Sequence, residues 1–327
     1  MTRFMMAAAS SIALLAACSP QGADESETDA PMNGEAMPAD EADSMSAPGQ
    51  GEEMSQEDSD AIASLLAGAQ LVDILAHERR EGDRARDEYR NPMETMAFFG
   101  LEPGMTIAEA LPGGGWYTRI LLPYVSADGR YVALNYQEDV WAQMYGENWN
   151  EESQAEIRNW PETAPAALAE NGPVSADAIS AYMLDAIPES EDGQGDAVLF
   201  IRALHHLNRF GSEHMDVALG EVHDFLKPGG IVGVVQHRAP ADETDARASG
   251  DRGYMREADV IAAFERNGFA LEESSEINAN PADTADYENG VWMLPPSNGG
   301  DSEGEDVPPL QSVGESDRMT LRFVKPE

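Results

Sequence analysis

The chain has 327 residues, and 61 acidic against 20 basic ones give it a formal net charge of -41. A field of this sign repels phosphate backbones, so nucleic acid is excluded as an expected partner. Cys18 is the single Cys, which excludes an internal disulfide.

The first residues have the layout of a secretory signal. A positive charge at Arg3 precedes an apolar run over residues 4–17, and small residues stand directly before Cys18. The run is shorter than the roughly 20 residues that a membrane-spanning helix needs. We therefore predict a signal peptide over residues 1–17.

The sequence Leu15-Ala16-Ala17-Cys18 resembles the bacterial lipobox, in which the Cys takes a diacylglyceryl group. The resemblance implies a lipid on Cys18 as the only attachment to a membrane, and it leaves no thiol for zinc binding or nucleophilic catalysis. Ser19 follows the Cys in place of Asp, which resembles the pattern of lipoproteins that pass to the outer membrane. This resemblance implies a cell-envelope protein that faces the periplasm. The alternative is an ordinary cleaved signal that happens to end at a Cys.

An acidic segment follows. Residues 19–60 include thirteen acidic side chains and no basic one. The segment lacks aromatic and β-branched apolar runs, so it cannot bury enough surface to offset its ordering entropy. We predict that residues 18–58 comprise the lipidated Cys and a disordered acidic linker, and that residues 59–327 form one domain. A linker that binds a partner is the alternative.

Hydrophobic periodicity and breaker residues define the elements of this domain. In chain order we predict a helix over 59–80, a helix over 93–99, a strand over 106–111, a helix over 116–125, a strand over 131–134, a largely helical segment over 141–172, a strand over 197–201, a helix over 212–226, a turn at 227–230, a strand over 231–235, a helix over 257–266, and strands over 269–273 and 319–324. This alternation predicts an α/β fold, a Rossmann-like doubly wound sheet with helices on both faces. Ligands of such sheets bind beyond the carboxyl ends of the strands.

The sharpest local feature is Glu109-Ala110-Leu111-Pro112-Gly113-Gly114-Gly115-Trp116, which follows a predicted strand and opens a predicted helix. Three consecutive glycines let the backbone turn tightly and approach a ligand. The free amides at the start of the helix favour an anionic group. A plain tight turn is the alternative.

This acid-then-glycine pattern resembles the first motif of class I S-adenosylmethionine-dependent methyltransferases. Glu109 matches the acid that ends the first strand, Gly113 and Gly115 match the last two glycines, and Leu111 stands where the family has its first glycine. Longer segments resemble a predicted methyltransferase family of bacterial envelopes over nearly all of residues 84–327. They are 98–105, 112–118, 226–230, 237–239, 275–281, 290–296 and 317–326.

The resemblance implies a sheet of about seven strands, mostly parallel with an antiparallel last strand, and S-adenosylmethionine as the cofactor. The residues that it implies for holding the cofactor are Glu109, Pro112, Gly113, Gly114, Gly115 and Trp116. Asn135 ends the second strand, where the family usually carries an acid that binds the ribose hydroxyls. A strand-end Asn that merely forms a turn is the alternative.

Candidate catalytic residues follow the fourth and fifth strands. The fourth strand exits towards His205 and His206, and a His with its ordinary pKa of about 6.5 could take a proton from an attacking hydroxyl or amine. His205 is therefore a candidate base. Arg238 would suit an anionic substrate group, with a structural ion pair as the alternative. The His spacing lacks the patterns typical of zinc, so we expect no metal.

Two functions follow from the resemblance. The first is an S-adenosylmethionine-dependent methyltransferase that acts on a small molecule or an envelope component. The second is a catalytically inactive lipoprotein that binds a ligand with the same fold; Leu111, Asn135 and a location outside the cytoplasm motivate it. A nicotinamide oxidoreductase is disfavoured because the pattern Gly-x-Gly-x-x-Gly is absent.

Overall fold

In the computed structural model, which describes residues 67–68, 70–125, 129–298 and 310–327, seven strands form one sheet. The strands are β1 (Thr106–Ala110), β2 (Arg130–Asn135), β3 (Ile179–Met183), β4 (Gly195–Ile201), β5 (Leu226–His237), β6 (Ala270–Ser275) and β7 (Arg318–Val324). Their spatial order is β3-β2-β1-β4-β5-β7-β6. Only β7 runs against the others, antiparallel to both β5 and β6. The predicted Rossmann-like fold is confirmed.

Ten helices are described around this sheet. They are α1 (70–76), α2 (Asp87–Arg90), α3 (Pro92–Phe98), α4 (Thr118–Val125), α5 (Glu138–Tyr145), α6 (Glu151–Ala169), α7 (Leu204–Arg209), α8 (Ser212–Phe225), α9 (Asp245–Ala248) and α10 (Glu257–Arg266). Short 3-10 turns occupy Glu78–Arg80, Arg84–Arg86, Gly146–Asn148, Ala176–Ala178, Glu189–Glu191, Gly290–Met293 and Leu310–Ser312.

Apolar residues cover the sheet on both faces. Side chains alternate along β1, so that Ala108 and Ala110 join a cluster with α5, α8 and α10, while Ile107 joins one with α1, α3, α4 and α6. Because helices shield both faces, the central strands are buried runs of apolar residues, as in parallel sheets generally. Ligands can therefore reach the sheet at the ends of its strands, which the helices on the two faces leave uncovered.

The predicted signal peptide, Cys18 and the acidic linker lie outside the described residues, as does the start of the helix predicted over 59–80. All described residues belong to one unit, Met54–Glu327. Within the described part of the chain, no helix is long and apolar enough to cross a membrane. There too, no three His, Cys, Asp or Glu side chains are placed to hold a metal ion.

Three segments differ from the sequence prediction. The strand β3 was not predicted, because it lies at the sheet edge and buries only Ile179 and Ala181. The segment after β4 was expected to be a strand exit or a turn, but it forms α7, which carries His205 and His206. Residues 227–230, predicted as a turn, lie within β5, where the pairing with β4 skips from Leu226 to Ile231.

The close packing of α3 on the sheet gives a first prediction. A Cβ atom added at Gly233 on β5 would lie 2.8 Å from Phe99 and from Leu199 side-chain atoms. Gly233→Ala should therefore lower the free energy of unfolding by about 1–3 kcal/mol through overpacking, measured by urea denaturation.

The matched control is Gly220→Ala on α8, where a Cβ would meet nothing within 4 Å. It should raise the stability by about 0.5–1 kcal/mol, because Ala favours a helix more than Gly does. Equal effects of the two substitutions would contradict the packing described here.

Candidate functional site

The chain turns sharply after β1. Leu111, Gly113 and Gly115 have positive φ angles of 55°, 55° and 75°. The Gly115 amide donates to the Pro112 carbonyl at 3.0 Å shortly before α4 begins. A Leu at positive φ is strained, so Leu111 adopts a backbone conformation that glycine would adopt without strain.

One side of this bend is open. A Cβ atom added at Gly114 would meet no described heavy atom within 4 Å, and one at Gly113 would approach the Leu111 carbonyl oxygen at 3.7 Å. Gly115 differs, because a Cβ there would lie 2.5 Å from Asn171 Oδ1. Open space beside bare backbone at Gly113 and Gly114 is the geometry that lets a ligand approach the main chain.

The open side faces a cavity of about 310 Å³ at the carboxyl ends of β1, β4 and β5. This volume lies at the small end of the range of small-molecule sites. Further walls come from the segments before α3, around 291–297 and before β7. The predicted site residues that line the cavity are Glu109, Pro112, Gly113, Gly114, Trp116 and His205.

Glu109 is buried where β1 meets the bend. Its Oε2 accepts hydrogen bonds from the Tyr131 hydroxyl at 2.6 Å and from the Thr118 hydroxyl at 2.8 Å. Burial raises the pKa of the Glu109 carboxyl to about 7, although these hydrogen bonds and Arg119 oppose the shift. The carboxyl therefore titrates near neutral pH. Its hydrogen bonds also connect β1 to β2 and to α4.

Three guanidinium groups converge on one buried carboxylate in the cavity wall. Glu315 accepts hydrogen bonds from Arg86 Nε at 2.7 Å and from Arg90 Nε at 3.0 Å, and Arg318 Nη1 lies 3.2 Å from it. The Arg90 guanidinium also lies 4.7 Å from the centroid of the Trp116 ring, a cation–π contact. These contacts join segments that are 225 residues apart.

Two histidines line the same cavity. His205 on α7 and His237 at the end of β5 have ring centroids 5.8 Å apart. His237 Nδ1 lies 2.6 Å from Ser316 Oγ, whereas His205 Nδ1 has no hydrogen-bond partner among the described residues. Burial, and then the neighbouring imidazoles, lower the pKa of both rings well below 6.5. Both are therefore neutral at pH 7, and the same burial makes them weaker bases than an exposed His.

Asn135 and Arg238 lie outside the cavity lining. Asn135 Oδ1 accepts hydrogen bonds from the Tyr136 amide at 2.8 Å and from Trp141 Nε1 at 3.1 Å. Arg238 donates from Nε to Asp317 at 2.9 Å and pairs with two further carboxylates. The structure thus shows the ion-paired alternative for Arg238, and at Asn135 a side-chain oxygen that is hydrogen-bonded within the protein.

Sequence analysis did not identify the charged residues of the cavity wall, which are Asp83, Arg86, Arg90, Arg119, Arg202 and Glu315. The available signals were the Arg-rich segment over 79–90 and the position of Arg202 directly after β4. Arg202 also has a positive φ of 59°, a strained conformation at the ligand edge of the sheet.

No model of a known protein family matches the chain, and no curated protein matches it significantly. A solved S-adenosylmethionine-dependent methyltransferase from Aquifex aeolicus is similar with 14% identity over 79% of this chain and 98% of its own, at a TM-score of 0.43. One from Mesorhizobium loti has 16% identity over 71% and 95%, at 0.37. The [4+2]-cyclase SpnF has 13% identity over 81% and 95%, at 0.43. At these identities the likeness concerns the fold alone.

The buried Glu109 predicts a pH-dependent effect on stability. Its pKa rises from 4.5 to about 7 on folding, so ionising it costs the folded state as the pH rises from 4.5 through 7. The full cost above pH 7 is about 3 kcal/mol. Glu109→Gln should therefore match the wild-type stability near pH 4.5 and exceed it by about 1–3 kcal/mol at pH 8, measured by urea denaturation.

The control is Gly220→Ala, which leaves every titratable group in place. Its difference from the wild type should not grow between the two pH values. A Glu109→Gln difference that is constant with pH would show that this carboxyl does not titrate as described.

Proposed function

We propose that this protein is an S-adenosylmethionine-dependent methyltransferase that acts on a small molecule or an envelope component. The observation that carries the proposal is the open bend at Gly113 and Gly114, at the carboxyl edge of a sheet with the order β3-β2-β1-β4-β5-β7-β6. Sheets of this kind bind ligands at that edge. The cavity beside the bend supplies the necessary space.

The residues of the bend fit the amino-acid end of the cofactor. Amides that open α4 favour a carboxylate, and Gly113 and Gly114 leave room for it. The fit at the ribose is partial, because Asn135 uses its side-chain oxygen internally and could offer only an amide N–H. We therefore assign the cofactor to Glu109, Gly113, Gly114 and Trp116 and leave Asn135 with a secondary contact.

The cofactor would supply a methyl group already activated by its sulfonium centre, so the protein's task is to orient the acceptor and manage one proton. His205 and His237 are buried and neutral at pH 7, so each has a ring nitrogen that can accept that proton, although their lowered pKa makes both weak bases. Trp292 lies 6.1 Å from His205, centroid to centroid, and contributes to the same wall. Burial of this wall also keeps water from the acceptor.

Gly114→Leu tests the cofactor assignment. The new side chain meets no described atom near its Cβ, so the fold should persist while the cavity fills. Calorimetric titration with S-adenosylhomocysteine should detect binding to the wild type and none to Gly114→Leu.

The matched control is Gly220→Leu, the same substitution at an open glycine on α8. It should leave the affinity unchanged. Absence of heat and of any thermal shift for the wild type at millimolar cofactor would end the methyltransferase proposal.

The second candidate is a lipoprotein that binds a ligand without catalysis. The internal hydrogen bonds of Asn135 favour it, because they occupy the oxygen that a ribose would need. In that case the cavity would bind a ligand other than S-adenosylhomocysteine, and the titration above separates the two candidates.

We also propose that the mature protein is anchored in the outer membrane through a lipid on Cys18, facing the periplasm. Support comes from the lipobox-like run that ends at Cys18 and from Ser19 after it. Cys18→Ser should abolish lipid labelling and release the protein from the membrane fraction, whereas Ser19→Asp should keep the lipid but retain the protein in the inner membrane. Unchanged fractionation of Cys18→Ser would refute the anchor.

A further inference from the structure

The cavity wall carries more positive than negative charge. Arg86, Arg90 and Arg318 share the single carboxylate of Glu315. Arg202 lines the same cavity and has no ion pair among the described residues. The lining contains two other acids, which are Asp83, paired with Arg119, and Glu109, whose pKa burial raises to about 7. In a chain with a net charge of -41, this local excess of cations requires a reason.

Several donors in this wall are buried without an acceptor among the described residues. They are Arg86 Nη2, Arg90 Nη1, Arg90 Nη2 and Arg202 Nε. Arg90 is only 1% exposed, so water outside the protein does not satisfy it. A buried unsatisfied donor is costly, and more so when it is charged. A hydrogen-bond acceptor that entered the cavity would satisfy these donors and remove this free-energy cost.

The position of these donors decides which part of a ligand they meet. Arg202 follows β4 directly, and the cavity that it shares with Arg90 also contains His205 and His237. The glycine bend belongs to the end of β1 instead. Arg202 therefore lies with His205 and His237 at the ends of β4 and β5, where an acceptor molecule would react, whereas Arg90 faces the same cavity from beside Trp116.

We propose that Arg86, Arg90 and Arg202 form a binding site for an oxyanion, a carboxylate or a phosphate, carried by the molecule that receives the methyl group. The assignment of this anion to the acceptor rests on the proposed function, whereas the anion site itself does not. Forked guanidinium donors suit planar carboxylates and phosphates, which accept two hydrogen bonds at once. The substrate class is thus an acidic small molecule or an acidic group of the envelope.

The test measures thermal shifts and calorimetric binding of two probes, inorganic phosphate and acetate, against chloride at equal ionic strength. One or both probes should raise the melting temperature of the wild type by mass action, and the better one identifies the oxyanion. Arg90→Met and Arg202→Met should weaken binding about ten- to a hundredfold through the loss of charged hydrogen bonds. Arg158→Met, which removes an exposed ion pair on α6, should leave it unchanged.

Arg202→Met gives a second readout that a structural role would not produce. Burial, and then the neighbouring Arg318, lower the pKa of Arg202 to about 10. Removing this unpaired charge should raise the melting temperature of the unliganded protein while it removes the anion-induced rise. A destabilised Arg202→Met protein that keeps the anion response would overturn the proposal.

The remaining outcomes separate the two proposals. S-adenosylhomocysteine binding without any phosphate or acetate response would overturn the anion site and leave the methyltransferase intact. An anion response without S-adenosylhomocysteine binding would overturn the methyltransferase proposal and leave the anion site intact. If Arg90→Met and Arg202→Met weaken S-adenosylhomocysteine as much as the anions, the site holds the cofactor's own carboxylate, and the acidic substrate is refuted.

Discussion

The structure depends on how the Glu315 carboxylate compensates buried guanidinium groups. Arg90 and Arg318 are almost fully buried, and charges removed from water are tolerated only when they are paired and hydrogen-bonded. Glu315 supplies that pairing to both, and to Arg86. One carboxylate thereby holds the segment before α3 against the segment before β7. The cavity exists because these two distant segments meet at the ends of β1, β4 and β5.

The same constraint explains the polarity of the cavity. The glycine bend contributes backbone amides and open space to the cavity. Arg86, Arg90 and Arg202 contribute positive charge. The lining is therefore more polar than that of most small-molecule sites, although Trp116 and Trp292 add aromatic surface. Recognition in such a site depends on hydrogen bonds and charge rather than on apolar burial, which favours small polar ligands.

The fold was largely predictable from the sequence, and the site only in part. Apolar runs and glycine breaks indicated six of the seven strands, and β3 escaped because an edge strand buries few residues. The bend was recognisable because its glycines are adjacent in sequence. Glu315 was not, since it meets Arg90 across 225 residues and no local pattern encodes that contact. Arg238 was recognisable as a charged residue at a strand end, but the sequence does not show that Glu276 and Asp317 on other elements pair with it.

The position of β7 has a consequence for how the domain assembles. β7 comes after β6 in the chain but lies between β5 and β6 in the sheet. β6 can thus join the sheet only once β7 has docked, and the same late segment delivers Glu315 and Arg318. Long-range pairings of this kind are slow to form. The sheet therefore stays incomplete at its β5 edge until β7 has been synthesised, and the cavity wall that Glu315 completes forms equally late.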